Sequence, residues 1–443
     1  MQKNEELNSP KTLDFEEIDA GLGTREAIAE ARRCLNCPKP LCRTGCPIEN
    51  DIPGFIQALS KGNIGDAREI LAFRSNLPAV CGRVCPHEKQ CEAHCVLMKK
   101  GKGIAIGKLE RFVADFDAEM NLERRQIPLK TEGKVAVIGS GPAGLTVAGD
   151  LAKEGFHVVV YEAEGEPGGV LLYGIPQFRL PKQVVRREVE RIASLGVTFI
   201  TRCLVGVDVT VDQLFEQGFD AIFIGTGTAL SKELDLPGKD LQGIVQSSYF
   251  LRTATLCHEG ELAEREVPVE KGEKVLVIGA GNVAMDAART AVRLGASRVG
   301  VVYRRTVAEM TALQAEYEAA LAEGVEFHWQ TSPKAYVGEA GRLTGLEVEQ
   351  ADGVKVLPAD KVLLAIGSRP AARIVSSTTG IEVQPSGYVI TKEKPYGMTT
   401  RQGVFAGGDV VHQPATVVLA MKEAKKVAQG IAAYVRAVKL LQA

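Results

Sequence analysis

Eight of the ten cysteines of this 443-residue chain fall between Cys34 and Cys95. The first group reads Cys34-x2-Cys37-x4-Cys42-x3-Cys46-Pro47, and the second Cys81-x3-Cys85-Pro86-x4-Cys91-x3-Cys95. Thiolates at such short, all-cysteine spacings suit iron–sulfur clusters or zinc. Structural zinc sites pair C-x2-C units, and only Cys34 and Cys37 have that spacing, so zinc is the weaker reading. Cys203 and Cys257 stand apart.

The first group has the closely spaced run closed by Cys-Pro that is found in bacterial ferredoxins. In that pattern the fourth cysteine ligates the other cluster, so the two groups along the chain need not be the two ligand sets. The opening residues lack the apolar core of a signal peptide, which makes disulfides an unlikely use of these thiols and a cytoplasmic location the expectation.

A second chemistry lies in Lys134–Gly144, KVAVIGSGPAG. An apolar strand breaks into Gly139-Ser140-Gly141-Pro142-Ala143-Gly144 and then into a helix. Gly139 permits the tight turn, Gly141 lets a pyrophosphate approach the backbone, and Gly144 brings helix and strand together. The helix start offers free N–H groups and a positive dipole end to the phosphates. The next strand, His157–Tyr161, ends in Glu162, placed to accept hydrogen bonds from a ribose. The segment EPGGVLLYGIPQFRLPK, 166–182, reads as non-helical chain lying along the ligand, with Gly169 and Arg179 as contacts. AIFIGTGT, 221–228, is a buried strand ending at Thr226, where a ligand could pass, and Val205 precedes it as a further candidate.

The pattern then repeats. Lys274–Ile278 leads into Gly279-Ala280-Gly281-Asn282-Val283-Ala284, with alanine as the accepted variant of the third glycine. Here the second strand ends in Arg304-Arg305 rather than an acid. Two guanidinium groups suit a 2′-phosphate, so this site is expected to prefer NADP(H), with Gly279, Gly281, Asn282, Val283, Arg304, Arg305 and Gly367 as its contacts. KVLLAIG (361–367) and GVFAGG (403–408) are two more strands ending in glycine. Asp409 and a helix over about 415–441 follow, with Gly408, Asp409 and Thr416 returning to the first dinucleotide. Too few residues remain after Gly367 for a new domain, so the second nucleotide domain is inserted into the first.

These sites imply an α/β chain of two Rossmann-like domains behind a helical, cysteine-rich segment. The expected divisions are 1–132 (helical iron–sulfur domain), 133–240 (first part of a flavin domain), 241–365 (NADP(H) domain) and 366–443 (remainder of the flavin domain with its C-terminal helix). Short helices are expected at 25–33, 53–60, 64–73 and 184–195, and Asn121–Lys130, with Arg124, Arg125 and Pro128, as a polar linker. Ile106, Leu109, Val113 and Phe116 form a helical stripe with Glu110 at its edge, where it reads as a solvated side chain. Hydrophobic content of 45%, charged content of 24% and a net charge of −2 describe an ordinary globular chain and argue against nucleic-acid or anionic-membrane binding. No apolar run reaches membrane-spanning length. The six histidines show no ligand or triad spacing and read as structural.

Together CGRVCP with the later cysteines, AIGKLERF, GSGPAG, GGVLLYGIPQFRLP, GAGNVAMDAARTAVRLGA, YRRTVAEM, AIGSRP and AGGDVV…ATVVLAM resemble the glutamate synthase small-subunit family. Its relatives include the N-terminal half of dihydropyrimidine dehydrogenase and the large subunit of NADH-dependent ferredoxin:NADP oxidoreductase. The resemblance covers nearly the whole chain from Cys34 onward, and the AGGDVV ending is closer to the latter two branches. It implies FAD at the first fingerprint, with Pro142 and Ala143 in its loop, NAD(P)H at the second, and two 4Fe–4S clusters. One cluster would be held by Cys34, Cys37, Cys42 and Cys95, and the other by Cys46, Cys85, Cys91 and Glu110, with Cys81 a non-ligand. The family usually has proline where this chain has Thr311, a departure expected to leave the phosphate site untouched.

The implied activity is hydride exchange between NAD(P)H and FAD, with single electrons relayed through the clusters to or from a partner subunit or ferredoxin. An electron-bifurcating ferredoxin:NADP oxidoreductase is a variant of this reading. A thioredoxin-reductase-like disulfide reductase shares the inserted-domain plan but needs a Cys-x-x-Cys in the nucleotide domains, which Cys203 and Cys257 do not supply. A zinc-stapled scaffold with vestigial nucleotide sites is the non-enzyme alternative.

Overall fold

The computed structural model describes residues 13–120, 127–371 and 373–442. Arg124 and Arg125 of the expected linker lie outside the described residues. The chain divides into two compact units. The larger holds Asp19–Leu172, Arg179–Ser231 and Gly367–Ala443; the smaller holds Lys232–Ile366, Tyr173–Phe178 and the described residues up to Ile18.

The larger unit begins with helices α1 (Thr24–Arg32), α2 (Leu41–Gly45), α3 (Ile52–Ser60), α4 (Ile64–Arg74), α5 (Pro78–Val84) and α6 (Ile106–Met120). Their starts are set by local chemistry. The Asp51 carboxylate accepts from Gly54 N–H at the head of α3 and Pro53 stands in its first turn; Asn63 caps α4 through Asp66 N–H. Both satisfy donors that a helix start leaves orphaned. Phe55, Ile56, Leu59, Leu71, Leu109 and Val113 form the core, with Cys34, Cys42, Cys46 and Cys95 packed against its edge. Truncating one of these large residues to alanine destabilises a core by about 2–5 kcal/mol, so the cysteine loops rest on a firm base.

The nucleotide fold of this unit starts with β1 (Gly133–Ile138), α7 (Pro142–Lys153) and β2 (Phe156–Tyr161). α8 (Val170–Tyr173), α9 (Lys182–Ala193), β3 (Thr198–Ile200), α10 (Val211–Glu216), β4 (Ala221–Ile224) and β5 (Leu230–Ser231) follow. The 166–182 segment therefore contains one helical turn, α8, where its Gly/Pro punctuation predicted none.

The smaller unit supplies β6 (Ile244–Gln246), α11 (Ser247–His258), β7 (Lys274–Ile278), α12 (Asn282–Arg293), β8 (Arg298–Val302), α13 (Gln314–Ala322), β9 (Glu326–His328), β10 (Ser332–Glu339), β11 (Arg342–Gln350), β12 (Gly353–Pro358) and β13 (Lys361–Leu364). The chain then returns through β14 (Ser368–Arg369), α14 (Arg373–Ser376), β15 (Thr391–Glu393), β16 (Tyr396–Thr399), β17 (Val404–Ala406) and α15 (Val417–Gln442).

The larger unit's sheet runs β15-β16-β17-β4-β1-β2-β3, and the smaller unit's main sheet β6-β13-β7-β8-β9. β17, β4, β1, β2 and β3 pair in parallel, as do all five strands of the smaller sheet. Both sheets reverse direction of progression beside the strand that leads into the glycine loop, β1 or β7, and a ligand crevice opens at the strand ends there. β1 reads Val-Ala-Val-Ile without alternation because Val135–Ile138 are buried throughout, as a strand covered on both faces must be. Among the described residues no helix is long and apolar enough to cross a membrane.

Candidate functional site

At the carboxyl end of β1 the chain turns through Gly139, whose φ of +93° and close approach to Gly225 O exclude a side chain; a Cβ there would sit 2.8 Å from that oxygen. Gly141 is the N-cap of α7 and Pro142 its first residue, so the fixed φ of proline starts the helix. A Cβ on Gly141 would meet nothing within 4 Å, whereas one on Gly144 would sit 1.9 Å from Gly139 O. The second glycine thus faces open space where phosphate can approach, and the third lets the helix close on the turn.

Further segments converge on this loop. A Cβ on Gly169 would lie 2.8 Å from Gly141 Cα, and one on Gly408 2.8 Å from Ala143 Cβ. Thr226, exposed, follows β4 beside Gly225; Arg179 is half-buried. Val205 is a core residue, packed with Ile138, Tyr161 and Ile224, so only its backbone is available to a ligand. Asp409 is half-buried, and burial pushes its carboxyl up to about 6, partly countered by His412. Thr416 stands immediately before α15; its carbonyl accepts from Leu419 and Ala420 N–H, so the helix starts two residues later than 415.

Glu162 does more than end β2. One carboxylate oxygen accepts from Ser140 N–H at 2.9 Å and Ser140 Oγ at 2.5 Å, and the other from Glu164 N–H at 2.9 Å. Ser140 Oγ in turn accepts from Gly168 N–H at 2.9 Å. A carboxylate has about four acceptor positions, so Glu162 braces the loop and keeps capacity for a ribose. Ser140 was not singled out by the fingerprint because its position there is unspecified.

In the smaller unit the second loop repeats this construction. Gly279 has φ +126°, and a Cβ there would meet Ala365 O at 2.4 Å. Ala284, fully buried, replaces the third glycine. Asn282 uses its side-chain oxygen to accept from Leu313 N–H at 2.9 Å, while Val283 is exposed in the first turn of α12. Arg304 and Arg305 are exposed in the turn after β8; Arg305 lies 3.9 Å from Glu309 and Arg304 makes no ion pair among the described residues. The turn is braced from its neighbour: Gln330 N–H donates to Arg305 O and Thr331 N–H to Tyr303 O, both at 2.9 Å. Gly367, at φ +96°, groups with the larger unit rather than with Gly279.

Thr311 corrects an expectation. It does touch the phosphate loop: its N–H donates to Ala280 O at 3.2 Å, and its Oγ1 would lie 3.3 Å from a Cβ on Gly281. The proline usual in the family has no N–H to make this bond.

The cysteines form two gatherings that ignore chain order. Cys34, Cys37, Cys42 and Cys95 line one hollow, with Ile52, Ile56 and Ile104 behind them. Burial, against a hydrogen bond from Arg43 N–H, and the neighbouring thiols Cys34, Cys95 and Cys37 push the Cys42 thiol up to about 11. Around Glu110 lie Cys46, Cys85, Cys91 and also Cys81. Burial and the Glu110 charge push Cys46 up to about 11 and Cys91 higher; Cys85 is raised by its hydrogen bond with Cys81 and by burial.

Glu110 itself is 8% exposed, not solvated at a helix edge, and burial with the nearby Glu188 pushes it up to about 8. Buried soft donors whose charged forms are this disfavoured fit a cationic metal cluster, which would restore the thiolates. His87 is half-buried with its Nε2 enclosed, packed where a Cβ on Gly107 would fall 2.4 Å from its ring, and desolvation lowers it to about 4.

Comparison with known proteins agrees with this division of labour. Residues 11–122 match the family described as dihydropyrimidine dehydrogenase domain II, 4Fe-4S cluster, and residues 133–424 that described as pyridine nucleotide-disulphide oxidoreductase. The chain is 35% identical over 445 residues to the glutamate synthase [NADPH] small chain of Halomonas elongata, covering 96% of this chain and 94% of that one. The chain belongs to the glutamate synthase small-chain family. It is also 36% identical to the NAD-dependent dihydropyrimidine dehydrogenase subunit PreT of Escherichia coli, covering 96% and 98%. These near-equal identities do not separate the branches that the AGGDVV ending was expected to separate. FprA of Mycobacterium tuberculosis in complex with NADPH shares the fold, with a TM-score of 0.56 at 20% identity over 70% of this chain and 86% of that one. As a member of this family, the chain is an NAD(P)H-dependent oxidoreductase that uses FAD, NADP(H) and 4Fe–4S clusters.

Proposed function

We propose that this chain is the electron-transfer subunit of a larger assembly, exchanging electrons between NADPH and a partner protein. FAD held at the first glycine loop would supply hydride chemistry toward NADPH and one-electron chemistry toward the 4Fe–4S clusters. The observation that carries the reading is that both cysteine gatherings and the first dinucleotide loop belong to one compact unit. Cys81 Sγ, beside the second gathering, lies 3.6 Å from Met421 Sδ on α15, the helix whose start we assign to the flavin.

In this reading Gly139, Gly141, Pro142, Ala143 and Gly144 hold the FAD pyrophosphate, with Glu162 on the ribose through a loop fixed by Ser140. Gly169, Arg179, the Val205 backbone and Thr226 line its course, and Gly408, Asp409 and Thr416 present the start of α15 to it, where helix N–H groups favour negative charge. Gly279, Gly281, Asn282 and Val283 hold NADPH, with Arg304 and Arg305 on its 2′-phosphate. Cys34, Cys37, Cys42 and Cys95 hold one cluster; Cys46, Cys85, Cys91 and Glu110 hold the other. The divisions at 132/133, 240/241 and 365/366 follow the same assignment. A partner is supported by the small chain and subunit among the relatives, and a bifurcating assembly remains within this proposal.

Anaerobic titration of the holoprotein with NADPH tests it. Flavin bleaching accompanied by paramagnetic resonance signals from two reduced clusters is expected. Iron-free protein carrying zinc, or clusters that stay oxidised while the flavin bleaches, would sink it.

A further inference from the structure

The two cysteine gatherings differ in their surroundings. Around the Glu110 gathering, Cys81, Cys91 and Glu110 are 2%, 6% and 8% exposed. The hollow of Cys34, Cys37, Cys42 and Cys95 opens instead onto apolar side chains left in solvent: Leu35 and Leu41, which line it, are 60% and 47% exposed, and Met98, next in the chain to the lining Leu97, is 47% exposed.

The two segments that carry these cysteines, 32–43 and 95–108, contain eight lysines and arginines and no aspartate or glutamate, in a chain of net charge −2. They lie side by side, because the Arg33 guanidinium donates to Lys102 O at 2.7 Å and Gly103 O at 3.2 Å. Lys39, Lys99 and Lys100 are exposed and make no ion pair among the described residues. Arg33, Arg43 and Lys108 pair with Glu30, Asp51 and Asp19, which leaves the unpaired charge at the rim of one sign. An apolar centre with such a rim is the anatomy of a protein-docking face, and unpaired rim charges select the partner's charge and speed encounter.

We propose that this face docks an acidic electron-carrier protein over the Cys34, Cys37, Cys42 and Cys95 cluster. This deepens the proposed function and rests on it. Each NADPH gives NADP⁺, a proton and two electrons, so two oxidised one-electron carriers dock in turn and leave reduced. Leu35, Leu41 and Met98 exclude water at the contact, and the lysines orient the carrier's acidic face.

The test uses the holoprotein and a purified acidic single-cluster ferredoxin, a one-electron carrier, as probe, with dissociation constants from calorimetry and turnover followed by ferredoxin reduction. Lys39→Glu/Lys99→Glu/Lys100→Glu is expected to weaken binding and lower kcat/KM for the ferredoxin by about tenfold or more, and about 0.5 M salt to do the same to the wild type. Reduction of the protein's own clusters by NADPH should stay unchanged, which separates this proposal from the one it rests on. Should the triple variant fail to retain iron, Lys99→Glu/Lys100→Glu, outside the first cysteine loop, gives the same reading. Unaltered ferredoxin binding in a cluster-loaded variant would overturn the proposal. So would tighter binding of basic cytochrome c, or equal affinity for anionic vesicles or an oligonucleotide.

Discussion

The Glu162 carboxylate is clamped to Ser140, accepting from both its N–H at 2.9 Å and its hydroxyl at 2.5 Å, while that hydroxyl also accepts from Gly168 N–H. One serine therefore ties the phosphate loop, the acid at the end of β2 and the Gly168–Gly169 turn together. A hydrogen bond to a charged group contributes about 1.5–3 kcal/mol. Ser140→Ala should weaken FAD binding by about tenfold or more. Flavin fluorescence during a thermal ramp would show release at a lower temperature; unchanged release would mean that the clamp does not serve the cofactor.

Gly144→Ala makes a harsher demand. Its Cβ would stand 1.9 Å from Gly139 O, inside any tolerated contact. Helix α7 must move from β1, and the variant is expected to purify without flavin. Yellow protein with wild-type flavin content would contradict the placement of this loop.

For the second nucleotide, Arg304→Ala removes an exposed guanidinium that has no ion-pair partner among the described residues, so little folding energy is at stake. The loss should fall on the 2′-phosphate: kcat/KM for NADPH drops by about 10–100-fold, equivalent to the 1.5–3 kcal/mol of a charged hydrogen bond, while that for NADH hardly changes. Equal loss with both nucleotides would remove the arginine from the specificity role.

Acid stability of the smaller unit turns on Glu323. Burial alone would raise its carboxyl, but hydrogen bonds from Arg293 and Arg289 and their charges outweigh it and hold the group below its ordinary 4.5. The contacts are 2.7 to 3.0 Å. A depressed folded-state pKa gives stability that is present above about pH 4.5 and lost as pH falls through the folded value. Glu323→Gln should therefore lower the melting temperature at pH 7, because the buried Arg293 guanidinium loses its carboxylate while Arg289 keeps only Glu316, an effect of about 3–5 kcal/mol. Its melting temperature should fall less than the wild type's on acidification. Parallel curves would show that this cluster does not govern acid unfolding.

Much of this architecture was legible because it repeats a local code. The runs Val135–Ile138 and Val275–Ile278 are buried strands, and Gly139, Gly144 and Gly279 after them are required by approach distances that only glycine satisfies. The gathering of Cys34, Cys37 and Cys42 with Cys95 was given by the resemblance and not by spacing; the hollow shows why spacing was silent, since residues 96–106 fold back beside the first loop. The antiparallel β10-β11-β12 sheet was missed: β12 is exposed along most of its length and β10 has one buried residue, so only β11 carries buried alternation. The burial of Glu110 was missed because a charged residue at a stripe's edge reads as solvated until α5 packs against α6. Thr311 was misjudged because its contact with Ala280 spans thirty-one residues and leaves no local signal.

That same blindness leaves Cys81 as the sharpest test. Spacing alone makes it an equal of Cys85, and the fold brings it to the same gathering, hydrogen-bonded with Cys85 and 3.6 Å from Met421. Five donors, Cys46, Cys81, Cys85, Cys91 and Glu110, thus stand around a site that needs four. We assign Cys81 to packing: its sulfur already contacts Met421, and a small buried thiol contributes as a hydrophobe. Cys81→Ser should then keep the iron content and both cluster signals in paramagnetic resonance, with a modest fall in melting temperature from the buried hydroxyl. Glu110→Ala should shift or abolish one signal and leave the other, because a carboxylate in place of a thiolate alters cluster potential and its loss opens an iron. If Cys81→Ser loses a cluster and Glu110→Ala does not, the fourth ligand is the thiol, and Glu110 is instead the buried acid that tunes its neighbours.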